Sequence, residues 1–130
     1  MINMVMLVDD SGIDNFVNKT MIKQNLTDNI VIKDTVKDAL NYLRMESDKI
    51  QNIPDLIFLD INLPALSGFD FLKEYENLSE SIKNKSKIIV LSSSDKPEDI
   101  EQMMSNKYVK DYLIKPMSPE AIENIKHYFL

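Results

Sequence analysis

An α/β fold, a doubly wound parallel sheet of five strands, is what this sequence predicts. Two observations carry that reading. Five short apolar runs alternate with amphipathic segments. Three of the runs are continuous rather than alternating, as in strands covered by helices on both faces. Strand–helix alternation implies right-handed crossovers along one parallel sheet with helices on both faces.

Each element follows in order. Met4–Val8 (MVMLV) is the first strand. Ile13, Phe16, Val17 and Met21 then fall on one helical face behind a cap candidate, Ser11. Ile30–Lys33 (IVIK) reads as an edge strand. Val36, Ala39, Leu40 and Leu43 share a face, with Asp34 or Thr35 as the cap. Leu56–Leu59 (LIFL) is the third strand, and it runs straight into Asp60. Phe69, Leu72 and Tyr75 make the next helical stripe, with Leu78 close to it. Ile88–Leu91 (IIVL) is the fourth strand. Pro97 opens a helix carrying Ile100, Met103 and Met104, the methionines reading as core filler. Tyr112–Ile114 (YLI) is the short fifth strand. Ser118-Pro119-Glu120 opens a last helix with Ala121, Ile122, Ile125 and Phe129. Gln51–Pro54 and Ser79–Lys87 are the two loose polar stretches, and no repeat or linker divides residues 1–130.

Composition narrows the chemistry. At 44% hydrophobic and 28% charged residues, the chain can bury a core of its own. It contains no cysteine and one histidine, His127, which rules out disulfides, thiolate metal sites and multi-histidine centres. His127 itself reads as a surface residue near the end of the last helix. Any bound metal must sit on oxygen ligands, which favours magnesium or calcium. The net charge of −6, with no basic stripe, argues against direct nucleic-acid binding. No apolar run approaches the roughly 18 residues of a membrane span, and the first residues lack the pattern of a signal peptide. A cytoplasmic protein without membrane insertion is expected.

Ligands of doubly wound sheets bind beyond the carboxyl ends of the strands, and the polar residues collect there. Asp9 and Asp10 follow the first run, Asp60 the third, Ser92, Ser93 and Ser94 the fourth, and Lys115-Pro116 the fifth. Three crowded carboxylates repel one another. A magnesium ion relieves that repulsion and accepts carboxylate, water and phosphate oxygens. Lys115 adds a point charge for an anionic oxygen, and Ser92 a hydroxyl donor. This is the equipment of phosphoryl transfer onto a carboxylate. With only Gly12 and Gly68 in the chain, neither GxxxxGK[ST] nor GxGxxG is possible, so the phosphoryl group must come from a small donor or another protein. Asp14, in the first helical turn, reads as a dipole-satisfying residue.

These residues, namely Asp9-Asp10, Asp60 with Asn62, Pro64 and Gly68, Ser92, and Lys115-Pro116, resemble the receiver domain of two-component response regulators over the span from Met4 to Phe129. The resemblance implies a flavodoxin-like sheet in the order 2-1-3-4-5, in a single receiver domain without an output domain. It implies that Asp60 accepts phosphate from a histidine kinase or a histidine phosphotransfer protein. Asp9, Asp10, Asp60 and the Asn62 carbonyl would hold Mg2+. Ser92, where the family often has threonine, and Lys115 would contact the phosphoryl group. The Lys115–Pro116 bond is expected to be cis. Tyr112 matches an aromatic switch that turns inward with Ser92, reshaping the surface of the fourth helix, fifth strand and fifth helix. Such a module is a signalling phosphoacceptor with slow self-phosphorylation and hydrolysis. It controls a downstream protein or passes phosphate along a relay, and it admits a phosphorylation-dependent dimer. Two alternatives use similar parts. An aspartyl-nucleophile phosphatase or phosphotransferase would put its second acid where Asn62 stands. An FMN carrier would place the flavin phosphate against DDSGID, a stretch of the wrong charge without a metal.

Overall fold

The computed structural model describes residues 1–130. Five parallel strands form one sheet: β1 (Val5–Val8), β2 (Ile30–Lys33), β3 (Leu56–Leu59), β4 (Lys87–Ser92) and β5 (Val109–Ile114). Their order is β2-β1-β3-β4-β5, as expected. The helices are α1 (Gly12–Asn25), α2 (Val36–Met45), α3 (Gly68–Tyr75), α4 (Glu80–Lys85), α5 (Pro97–Met104) and α6 (Pro119–Ile125). Short 3-10 turns cover Ile50–Asn52 and Lys126–Phe129.

The sheet separates two apolar layers. Met6, Val8, Ile57, Leu59, Ile88 and Val90 point toward α2, α3 and α5, where Val36, Leu40, Leu43, Phe71, Tyr75 and Met103 close the larger core. Val5, Leu7, Leu56, Phe58, Ile89 and Leu91 point to the other side and meet Ile22, Ile122 and Ile125 of α1 and α6. The central strands β1 and β3 are buried along their whole length, which is why they read as unbroken apolar runs.

Three expectations change. First, the Ile13–Phe16–Val17 face of α1 turns to solvent, with Ile13 80% and Phe16 74% exposed. The residues that α1 buries are Asn18 and Ile22. The helix is anchored at its start, where Ser11 caps the Asp14 N–H at 3.2 Å and the Asn15 side chain donates to the Asp9 carbonyl at 2.8 Å. Those contacts and the burial of Ile22 hold its rotation, and the Ile13–Phe16–Val17 stripe does not. Second, Ser79–Lys87 is not loose: it holds α4, whose one buried side chain is Ile82, and the first residue of β4. The fold therefore has six helices, and the surface expected on the fourth helix, fifth strand and fifth helix lies on α5, β5 and α6. Third, β5 begins at Val109, three residues earlier than its apolar core suggests, and its pairing with β4 is offset between Ile88 and Ile89.

Of the two cap candidates before α2, Thr35 is the one used, accepting from the Asp38 N–H at 3.1 Å. Ser67 and Asp70 form a reciprocal capping box on α3, which satisfies two otherwise unpaired N–H groups.

Candidate functional site

The sheet itself sets the site. Asp9, Asp60 and Lys115 are each the first residue past a strand, yet the neighbouring strand still holds their backbones. The Asp9 N–H donates to the Lys33 carbonyl (3.0 Å), the Asp60 N–H to the Val8 carbonyl (3.0 Å), and the Lys115 N–H to the Ser92 carbonyl (2.9 Å). The side chains thus leave the sheet from fixed positions on one edge.

After Asp60 the chain turns sharply. Ala65 takes the left-handed conformation (φ 66°), and the Gly68 N–H returns to the Ile61 carbonyl at 2.8 Å. A Cβ on Gly68 would lie 2.5 Å from the Asp60 carbonyl oxygen and 3.0 Å from Ile61 Cα. Only glycine lets α3 start this close to the end of β3.

Carboxylate oxygens of Asp9, Asp10 and Asp60 all lie within 4.8 Å of one another. Asp9 and Asp60 are buried, while Asp10 faces solvent. Lys115 Nζ joins the group, 2.6 Å from Asp9 Oδ2, 2.8 Å from Asp14 Oδ2 and 3.2 Å from Asp60 Oδ2. Burial holds the Asp60 carboxyl above the usual carboxylate range, aided by the Asp9 charge and opposed by Lys115 and the Ile61 N–H. For Lys115, burial acts to release its proton, but the bonds to Asp14 and Asp9 and the field of Asp60 outweigh it and raise the ammonium's pKa. All the acidic donors are oxygens and they outnumber the one cation, so the set fits a hard divalent ion.

Ser92 is fully buried, and its Oγ accepts the Ser94 N–H at 3.2 Å, which leaves the hydroxyl proton unused in that bond. The Ser94 hydroxyl donates to Asp99 at 2.6 Å. Tyr112 is half-buried against the larger core, and its hydroxyl donates to the Ser94 carbonyl at 2.8 Å. The ring therefore bridges β5 and the loop after β4. Asn62 is exposed in the loop after β3. The Lys115–Pro116 bond is cis.

Asp14 is the residue that sequence reasoning placed elsewhere. Its place in the first helical turn suits the helix dipole, and it also contacts Lys115. The available signal was spacing: a helix that starts two residues after Asp10 brings its first turn back over the strand tips. Asp14 and Lys115 stand together in the wall of an open cleft of about 300 Å³, with Val17, Asn18, Ser93 and Pro116.

Comparison with known proteins agrees with this geometry. A response regulator from Cytophaga hutchinsonii superposes with a TM-score of 0.89 at 30% identity, covering 98% of this chain and 96% of that one. The Mn(2+)-bound form of response regulator Rcp1 shares the fold, with a TM-score of 0.75 at 24% identity over 98% of this chain and 94% of its own. The probable methanogenesis regulatory protein FilR2 of Methanothrix harundinacea is 35% identical over 98 residues, 72% of this chain. The chain spans 61% and 53% of the lengths of FilR2 and of the rice response regulator ORR1. The response regulator receiver domain matches from residue 5 to residue 126, and the chain belongs to that family.

Proposed function

We propose that this domain is a phosphoacceptor switch in which Asp60 receives a phosphoryl group from a phosphohistidine on a histidine kinase or phosphotransfer protein. The observation that carries the reading is the Lys115 ammonium held between Asp60 and Asp9, with Asp10 alongside.

Asp60 Oδ1 accepts the Ile61 N–H at 2.7 Å. That bond fixes the carboxylate's orientation and leaves Oδ2 on the Lys115 side. An Asp60 oxygen bonds to phosphorus as the bond from phosphorus to the donor imidazole breaks, and the imidazole leaves with its electron pair. Lys115 meets the charge on the transferred oxygens. Ser92 turns its hydroxyl proton to one of them. Asp9, Asp10, Asp60 and the Asn62 carbonyl would hold Mg2+, which when bound neutralises charge on the phosphoryl oxygens. The Mn(2+) in the Rcp1 structure supports a divalent ion in a fold of this kind.

Control of a partner is the output that the Tyr112 contact favours. The ring is tied to the segment that carries Ser92 and Ser94. Movement of Ser92 toward a phosphoryl group therefore alters the hold on Tyr112 and the α5–β5–α6 surface around it.

The test is incubation with Mg2+ and acetyl phosphate, read by intact mass. Wild type is expected to gain one phosphoryl group and Asp60→Asn none. A gain in the Asn variant, or none in wild type, overturns the assignment.

A further inference from the structure

We propose that Asp14 is a positioning residue that limits how readily the site admits an anionic phosphoryl donor, because Lys115 must leave it before the ammonium can serve the phosphoryl group. The inference rests on the phosphoacceptor reading of Asp60 and adds a restraint that this chain builds into it.

An ammonium has three N–H groups. Lys115 has three carboxylate partners, Asp9 at 2.6 Å, Asp14 at 2.8 Å and Asp60 at 3.2 Å. Its side chain is 11% exposed, so it has little room for further partners. A phosphoryl oxygen can be served only if one of those bonds is exchanged. Asp60 is the acceptor and stays beside the phosphorus. Asp9 is a poorer choice, since its side chain is 3% exposed and water cannot take the ammonium's place against it. Asp14 is different: its side chain is 42% exposed, and water can take over its carboxylate at small cost. Asp14 is the contact that yields.

Position strengthens the effect. Ser11 Oγ caps the Asp14 N–H, so the carboxylate is carried on the anchored first turn of α1. Asp14 and Lys115 line the same open cleft. A donor approaching Lys115 meets a negative charge already on the cation it needs. In the resting site that same charge keeps Lys115 drawn toward α1.

The transfer step is unchanged: an Asp60 oxygen bonds to phosphorus as the bond from phosphorus to the acetyl oxygen breaks, releasing acetate. What Asp14 alters is the occupancy of the donor. Phosphorylation rate against acetyl phosphate concentration, at saturating Mg2+, separates the possibilities for wild type, Asp14→Asn and Asp14→Glu. Asp14→Asn is expected to lower the apparent KM by about threefold to tenfold, the size expected of one charge a few ångströms from a dianion near water. Its limiting rate should stay within about twofold of wild type, and added salt should shrink the KM difference. Asp14→Glu should restore the wild-type KM. Calorimetry should find Mg2+ affinity unchanged in Asp14→Asn, a result that separates positioning from metal ligation. An unchanged or raised KM in Asp14→Asn, a collapse of its limiting rate, or a large fall in Mg2+ affinity overturns the proposal. If wild type takes up no phosphate, the phosphoacceptor reading falls and this inference falls with it.

Discussion

Gly68 shows how much one missing side chain can matter. Its Cα sits where a methyl group would collide with the Asp60 carbonyl, Ile61 Cα and the end of Met103. Two of those three neighbours are backbone, and the backbone belongs to the loop that carries Asp60. Gly68→Ala is expected to cost about 1–3 kcal/mol in a urea titration, the range of overpacking. It should also slow phosphate uptake by shifting Asp60. Gly12 has open space around it, so Gly12→Ala should leave both quantities near wild type. At this scale the strand-tip residues Asp9, Asp10, Asp60, Ser92 and Lys115 were legible, because each closes an apolar run and parallel strands end on one edge. Asp14 was not, because a carboxylate in a first helical turn has an ordinary explanation that needs no partner.

Among the elements, α1 departs most from its pattern. Its stripe of Ile13, Phe16 and Val17 has helical spacing and lies in solvent, while Ile22 is fully buried. Periodicity reports which residues share a face, while the end contacts and the Ile22 anchor hold the face that is buried. Serine at Ile13 or Phe16 is therefore expected to change stability by less than about 0.5 kcal/mol. Ile22→Ala should cost about 2–5 kcal/mol. Thermal and urea unfolding of the variants would measure both. The short α4 was hidden for another reason: it is six residues long with one buried apolar side chain, Ile82, too little for a period to appear. It earns its place through Ser86 at its C-terminal end, where the buried Tyr75 of α3 and Ser86 share a hydroxyl–hydroxyl hydrogen bond. Burial pushes the Tyr75 phenol up to about 12, with the Tyr108 interaction adding to it and Ser86 opposing. In the unfolded chain a phenol ionises near 10. The folded state thus holds its proton longer, and the stability this gives is complete below about pH 10 and lost as pH climbs toward 12. Stability should fall by roughly 2–3 kcal/mol across that window beyond the loss in Tyr75→Phe, at 1.36 kcal/mol per unit.

For the molecule as a whole, the strand order that buries both faces of the sheet also gathers the carboxylates at one edge. The order and the alternation were readable because every central strand is an unbroken apolar run. The lengths of edge elements were less so: β5 carries Lys110 and Asp111 inside it, residues that resemble loop until the pairing with β4 is seen. The three clustered carboxylates predict a folded state that gains from a divalent cation. At Mg2+ a hundred times its dissociation constant, stabilisation should be about 2.7 kcal/mol. Urea midpoints in Mg2+ and in chelator should differ accordingly, and Asp10→Asn should reduce the difference.

The pairing of Val8 with Leu59 has a corollary for how activity and folding are linked. Asp9 and Asp60 meet because two ribbons lie in one alignment, and sliding either by a single residue would send alternate side chains to the opposite surface. The carboxylate cluster therefore requires β1 and β3 in this one alignment. Under the proposed function, phosphate uptake should therefore report correct strand alignment, and a misaligned molecule is expected to be silent.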